Sequence, residues 1–132
     1  YQRVFSHEPT TTPREGYLMF VRTTNGDPST FSLERWLDGG VDQCPTTAAV
    51  TQGAWHHLVA TYDGTTSTIY LDGTPVATQP SAHPLLSTTA SLLMGLGTYD
   101  PAPFTGSLDE IAVYDEALPA ARVAAHYHAS GR

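Results

Sequence analysis

The sequence predicts an all-β fold: an antiparallel β-sandwich of jelly-roll type with one short C-terminal helix. Three observations carry this expectation. Runs rich in β-branched and aromatic residues recur roughly every 8–15 positions, each bounded by turn-forming clusters. Two Asp-Gly pairs, Asp63-Gly64 and Asp72-Gly73, sit between such runs. An Asp-Gly pair there marks a hairpin, because the type I′ turn needs positive φ at both central residues. The 11 Gly, 10 Pro and 7 Tyr also suit many short strands joined by turns.

The elements follow in order. RVFS (3–6), YLMFVR (17–22) and TFSLERWL (30–37) read as strands, separated by the turn-rich stretches HEPTTTPREG and TTNGDPS. DGGVDQCP (38–45) reads as a further turn cluster. WHHLVATY (55–62), STIYL (67–71) and TPVATQ (74–79) form a strand series joined by the Asp-Gly turns. SLLMGLG (91–97) and FTGSLDEIAVYD (104–115) complete about eight strands, the rhythm of a sandwich. LPAARVAAHYHASG (118–131) changes period: Pro119 suits a helix start, Gly131 a stop, and Val123 and Tyr127 share a face. One domain over 1–132 is the simplest organisation, and the length suffices for one core.

Composition excludes several classes. Apolar residues reach 40%, too many for a charge-rich disordered chain. The net charge of −7, with six Arg and no Lys, argues against a nucleic-acid partner, which requires clustered cations. Cys44 has no intrachain partner for a disulfide. No run of about 18 apolar residues exists, so no membrane-inserted helix is expected.

Three pieces occur in fixed order: GAWHHLVATYDG (53–64), STIYLDGTPVA (67–77) and FTGSLDEIAVYDEALPAARVAAHY (104–127). Together they resemble the laminin-G-like, concanavalin A-like lectin/glucanase jelly-roll domains of bacterial extracellular proteins. The family pattern is a W-H-H strand, a Y-x-D-G hairpin, and F-x-G-x-[ILV]-D-E-x-x-x-[YF] followed by a short helix. The resemblance spans essentially the whole chain. Two features depart from it. A family strand of the type F-x-[LI]-x-[AF]-W has no counterpart ahead of RVFSHE, which implies a domain with its N-terminal edge cut off or supplied by other sequence. Pro119 stands where the family often has a Ser or Thr cap.

The segment GSLDEIAVYDEAL (106–118) poses the sharpest question. Read as a strand, it puts Asp109 on one face with Ile111 and Val113. A buried carboxylate must be neutralised, hydrogen-bonded or bound to a cation. The resemblance implies a structural Ca2+ at Asp109, with Glu8 as a further candidate ligand; the alternative is that Asp109 accepts backbone hydrogen bonds and holds a turn. Calcium takes about six to eight oxygens. His56 and His57 would point to opposite faces of a strand, and His126 and His128 lie about 200° apart on a helix, so neither pair converges on zinc. His83 stands alone in a loop, and Cys44 reads as a small buried thiol.

Aromatic residues on a concave sheet stack on sugar rings, and loops of such scaffolds carry binding residues. Trp36 is among the aromatics that alternate into sheet faces, and Arg35, Asp38, Asp42 and Tyr99 fall in or beside turns and could line a binding edge; of these, Trp36, Arg35, Asp38 and Tyr99 are the candidate ligand-binding residues. Glycoside hydrolysis needs two carboxylates about 5–9.5 Å apart. No E-x-D-x-E run supplies them, and the adjacent pairs Asp109-Glu110 and Asp115-Glu116 point to opposite faces. No nucleophile elbow or phosphate loop is present. The expectation is therefore not an enzyme but a recognition module of a larger secreted bacterial protein, extracellular or at the cell surface. Its partner would be carbohydrate, or alternatively an extracellular protein or other domains of the parent chain in an interaction or structural role.

Overall fold

The computed structural model describes residues 1–12, 14–23, 29–37, 40–81, 83–98 and 100–131. The described residues form eight strands and one helix: β1 (Gln2–His7), β2 (Gly16–Arg22), β3 (Thr30–Leu37), β4 (Gly40–Pro45), β5 (Leu58–Tyr62), β6 (Thr66–Leu71), β7 (Thr74–Pro80), β8 (Leu93–Met94) and α1 (Ala120–Ala129). They make two antiparallel sheets, a five-stranded one in the order β4-β3-β2-β1-β8 and a three-stranded one in the order β5-β6-β7. The predicted all-β sandwich with a C-terminal helix is the fold observed.

Alternation decides the faces. Leu33 of β3 and its partner Cys44 of β4 turn toward the three-stranded sheet and pack with Ile69 of β6. Leu58, Ala60, Val76 and Ala77 close around them. The Cys44 thiol donates weakly to the Ser67 carbonyl at 3.7 Å, and burial pushes its pKa up. Leu18 and Phe20 of β2 turn to the opposite, outer face and are nevertheless buried. Gly16 opens β2 at φ +87°, where a Cβ would stand 1.9 Å from the His7 carbonyl oxygen. Only glycine permits that close approach.

The two Asp-Gly pairs take different turns. At β6–β7 both Asp72 (φ 51°) and Gly73 (φ 77°) have positive φ, as the type I′ hairpin requires. At β5–β6 only Gly64 does. There Asp63 Oδ1 accepts the Thr65 amide at 2.9 Å, the Thr65 hydroxyl at 2.8 Å and the Thr66 amide at 2.8 Å. These bonds, those to Thr65 foremost, hold the Asp63 carboxyl below the usual range.

Four expectations change. Residues 40–45, read as a turn cluster, are strand β4, because Val41, Gln43 and Cys44 pair with Trp36, Glu34 and Leu33. Trp55, His56 and His57 precede β5 rather than belonging to it. The expected strand 91–97 is reduced to the two residues of β8. Residues 104–115 form no strand, and every residue from Thr105 to Glu116 is exposed. A strand takes its hydrogen bonds from neighbours, so an alternating sequence without an adjacent edge stays unpaired.

Candidate functional site

The chain folds back on itself after β1. Glu8, just after β1, is fully buried. Its carboxylate accepts a short hydrogen bond from the Arg14 guanidinium and one from the Ser6 hydroxyl at 3.3 Å. Arg14 in turn lies over the Trp36 ring, 3.5 Å from its centroid. This stack of carboxylate, guanidinium and indole pins the loop that carries Pro9 and Thr10. A second segment, running from Thr89 through β8 to Thr98, is pinned to β1 just after β8. Gly95 N–H donates to the Val4 carbonyl at 2.8 Å, and Phe104 N–H donates to the Gly95 carbonyl at 2.9 Å.

Between the two loops lies a cleft of about 370 Å³ lined by Pro9, Thr10, Thr89, Ala90, Ser91, Leu93 and Thr98. It carries four hydroxyls and no charged side chain. Thr98 Oγ1 is buried there without a hydrogen-bond partner in the protein. Thr98 Oγ1 is closed off from solvent, so the hydroxyls that open into the cleft are those of the exposed residues Thr10, Thr89 and Ser91. The size falls in the range of small-molecule sites, about 300–1,000 Å³.

A smaller depression of about 100 Å³ lies on the outer face of the five-stranded sheet, between Tyr1, Phe20, Ser32, Glu34, Gln43 and their neighbours. The Gln43 side-chain amide donates to the Glu34 carboxylate. Burial raises the Glu34 pKa, opposed chiefly by that hydrogen bond.

The predicted site residues scatter. Arg35 shares the inner face with Leu33 and is 2% exposed, so it lines no binding edge. Its Nη2 donates to Asp42 Oδ2 at 2.8 Å and to Ser81 Oγ at 2.8 Å, its Nη1 to the His83 carbonyl at 3.4 Å, and its plane lies 3.5 Å from the Tyr62 ring centroid. Trp36 faces outward, but Arg14 occupies a face of its ring, which removes that face as a sugar platform. Asp38 and Tyr99 lie outside the described residues; Thr98, next to Tyr99, lines the cleft. Asp109 is exposed in irregular backbone, and its Oδ1 accepts the Glu110 amide at 3.0 Å. It is therefore not the buried in-strand carboxylate expected. The donors do not fit a calcium site built on Asp109 and Glu8. Glu8 is already neutralised by Arg14, and no three His, Cys, Asp or Glu side chains converge among the described residues.

The histidines of the W-H-H motif are structural. Asp72, in the β6–β7 turn, accepts the His57 amide at 2.9 Å and contacts His56 Nδ1 at 2.8 Å. Tyr127 of α1 packs on Gly73 and on the His57 ring. The motif thus ties strand, hairpin and helix together. Burial lowers the His57 pKa, the charge of His126 adds to this, and Asp72 opposes it. The unfolded chain then protonates first, near the ordinary value of 6.5. Stability is full above that pH and falls as pH drops, until His57 also protonates in the folded state. A melting series should show Tm a few degrees lower at about pH 5 than at about pH 7.5, and His57→Gln should flatten the slope.

Two antiparallel sheets packed through Leu33, Cys44 and Ile69 define a β-sandwich. The sequence profile of the concanavalin A-like lectin/glucanases superfamily, in its laminin-G-type family, matches residues 1–124. The chain belongs to that family. Its fold is similar to the crystal structure of residues 221–444 of an S-layer domain-containing protein from Clostridium thermocellum. The TM-score is 0.52 and the identity 18%, covering 89% of this chain and 65% of that one. The chain thus spans about 65% of the length of that neighbour. No curated protein matches the chain. Family and fold make this a binding or structural module.

Proposed function

We propose that the chain is a non-catalytic carbohydrate-recognition module of an extracellular or cell-surface protein, and that the neutral sugar sits in the cleft between Thr10 and Thr98. One observation carries this reading: the cleft offers the hydroxyls of exposed Thr10, Thr89 and Ser91 and no charge. Neutral polyols are matched by groups that both donate and accept, and apolar Pro9 and Leu93 suit the C–H faces of a ring. The cleft lining holds no carboxylate, whereas glycoside hydrolysis needs two. The S-layer neighbour, by its name, belongs to a cell-surface layer, which agrees with the proposed location.

Glycan-array binding with Thr89→Val and Ser91→Ala tests the proposal. Each variant removes a hydroxyl and keeps most of the volume. Binding of neutral glycans should fall at least about tenfold in each variant, since a buried sugar hydroxyl loses its partner. Unchanged binding, or none by the parent chain, would overturn the assignment.

A further inference from the structure

We propose that α1 is a pH-operated latch: it docks on the β6–β7 hairpin while His57 is neutral and loosens when His57 is protonated, with the two sheets left folded. The helix is attached in a way that allows this. Among the described residues, no hydrogen bond and no ion pair joins residues 119–131 to the rest of the chain. Attachment is by packing alone. Val123 is fully buried, Tyr127 lies on Gly73 and 6.0 Å from the His57 ring, and the His126 ring lies 6.0 Å from that of Tyr114. At ten residues the helix is too short to persist in water once undocked. Release therefore opens its backbone amides to solvent.

His57 is where a proton acts on this contact. Its Nδ1 is closed off from solvent and has no hydrogen-bond partner in the protein. An imidazolium carries N–H on both ring nitrogens, so the protonated ring buries a donor at Nδ1 with no acceptor. A neutral ring avoids this by keeping its proton on Nε2.

The groups around His57 do not offset the added charge. Asp72, in the β6–β7 turn, is already shared between the His57 amide at 2.9 Å and His56 Nδ1 at 2.8 Å. The helix offers Arg122, His126 and His128 and no carboxylate, and β7 has no titratable side chain. Burial first, then the charge of His126, disfavours the imidazolium in the docked state, and Asp72 opposes them. The released chain thus protonates near the ordinary value of 6.5 and the docked one at lower pH. Docking is at full strength above that value, weakens as pH falls, and levels off once the docked ring is protonated too. One imidazole shifts the equilibrium by at most about 30-fold at pH 5.

Amide hydrogen exchange between about pH 7.5 and about pH 5, read as protection relative to intrinsic rates, follows α1 and β2 separately. At each pH the α1 amides should be at least about tenfold less protected than those of β2, so that the helix opens while the sheets stay closed. Protection of α1 should fall at least about fivefold from the higher pH to the lower. In His57→Gln, which cannot gain the proton, the ratio between the two should be near one. The His57 ring resonances of the parent chain give a reading that needs no variant: the fall should level off where that ring titrates. Unchanged α1 protection, α1 as protected as β2, the same fall in His57→Gln, or a levelling unrelated to the His57 titration would overturn the proposal.

Discussion

Arg35→Ala is expected to destabilise the fold by about 3–5 kcal/mol, the largest effect of any single polar substitution in the chain. The guanidinium lies between the sheets and holds β3, β4, the end of β7 and the loop beyond it through Asp42, Ser81 and the His83 carbonyl. It also covers the ring of Tyr62, whose hydroxyl donates to the Gly64 carbonyl at 2.8 Å. Truncation leaves a cavity and takes the guanidinium from the Asp42 carboxylate, which keeps the Ser81 hydroxyl. The Asp42 side chain is 23% exposed, so water reaches it and the lower end of the range applies. Urea unfolding measures the loss, and Arg35→Lys should recover only part of it, because an ammonium cannot match the planar fork. A loss below about 1 kcal/mol would mean that the inter-sheet network does not bind the sheets together.

Arg14→Ala should cost about 3 kcal/mol and weaken sugar binding at the same time. Its loss leaves the Glu8 carboxylate fully buried with only the Ser6 hydroxyl. Removing one partner of a buried pair is costly because the other charge stays behind. The double variant Arg14→Ala, Glu8→Gln should therefore be more stable than Arg14→Ala alone, which a double-mutant cycle reads directly. The same pair pins the loop bearing Pro9 and Thr10, so calorimetric titration should show weaker binding in Arg14→Ala even where the protein remains folded.

These two arginines show where the sequence was legible. The apolar runs of β2 and β3, the Asp72-Gly73 hairpin and the helix after Pro119 are local patterns, and the structure follows them. Arg35 and Trp36 are neighbours on β3, so they had to face opposite ways. Which face is interior was not legible, because an arginine turned inward is explained only by Asp42, Ser81 and Tyr62, all distant in sequence. β4 was hidden by its own polarity, since Gln43 is in a strand only because Glu34 lies across from it. The unspent hydroxyl of Thr98 carries no sequence signal, because whether a threonine is partnered depends on which loops meet. Residues 106–114 show the converse: the alternation is plain, but a strand also needs an edge to join.

The central claim is that the hydroxyl-lined cleft is the recognition site. Titration of isotope-labelled protein with neutral monosaccharides, followed by amide chemical shifts, tests it most directly. The account predicts saturable shifts concentrated at Thr10, Thr89, Ser91 and Thr98, absent in Thr89→Val. Shifts confined to the outer-face depression around Glu34 and Gln43, or no saturable shift with any sugar, would contradict it.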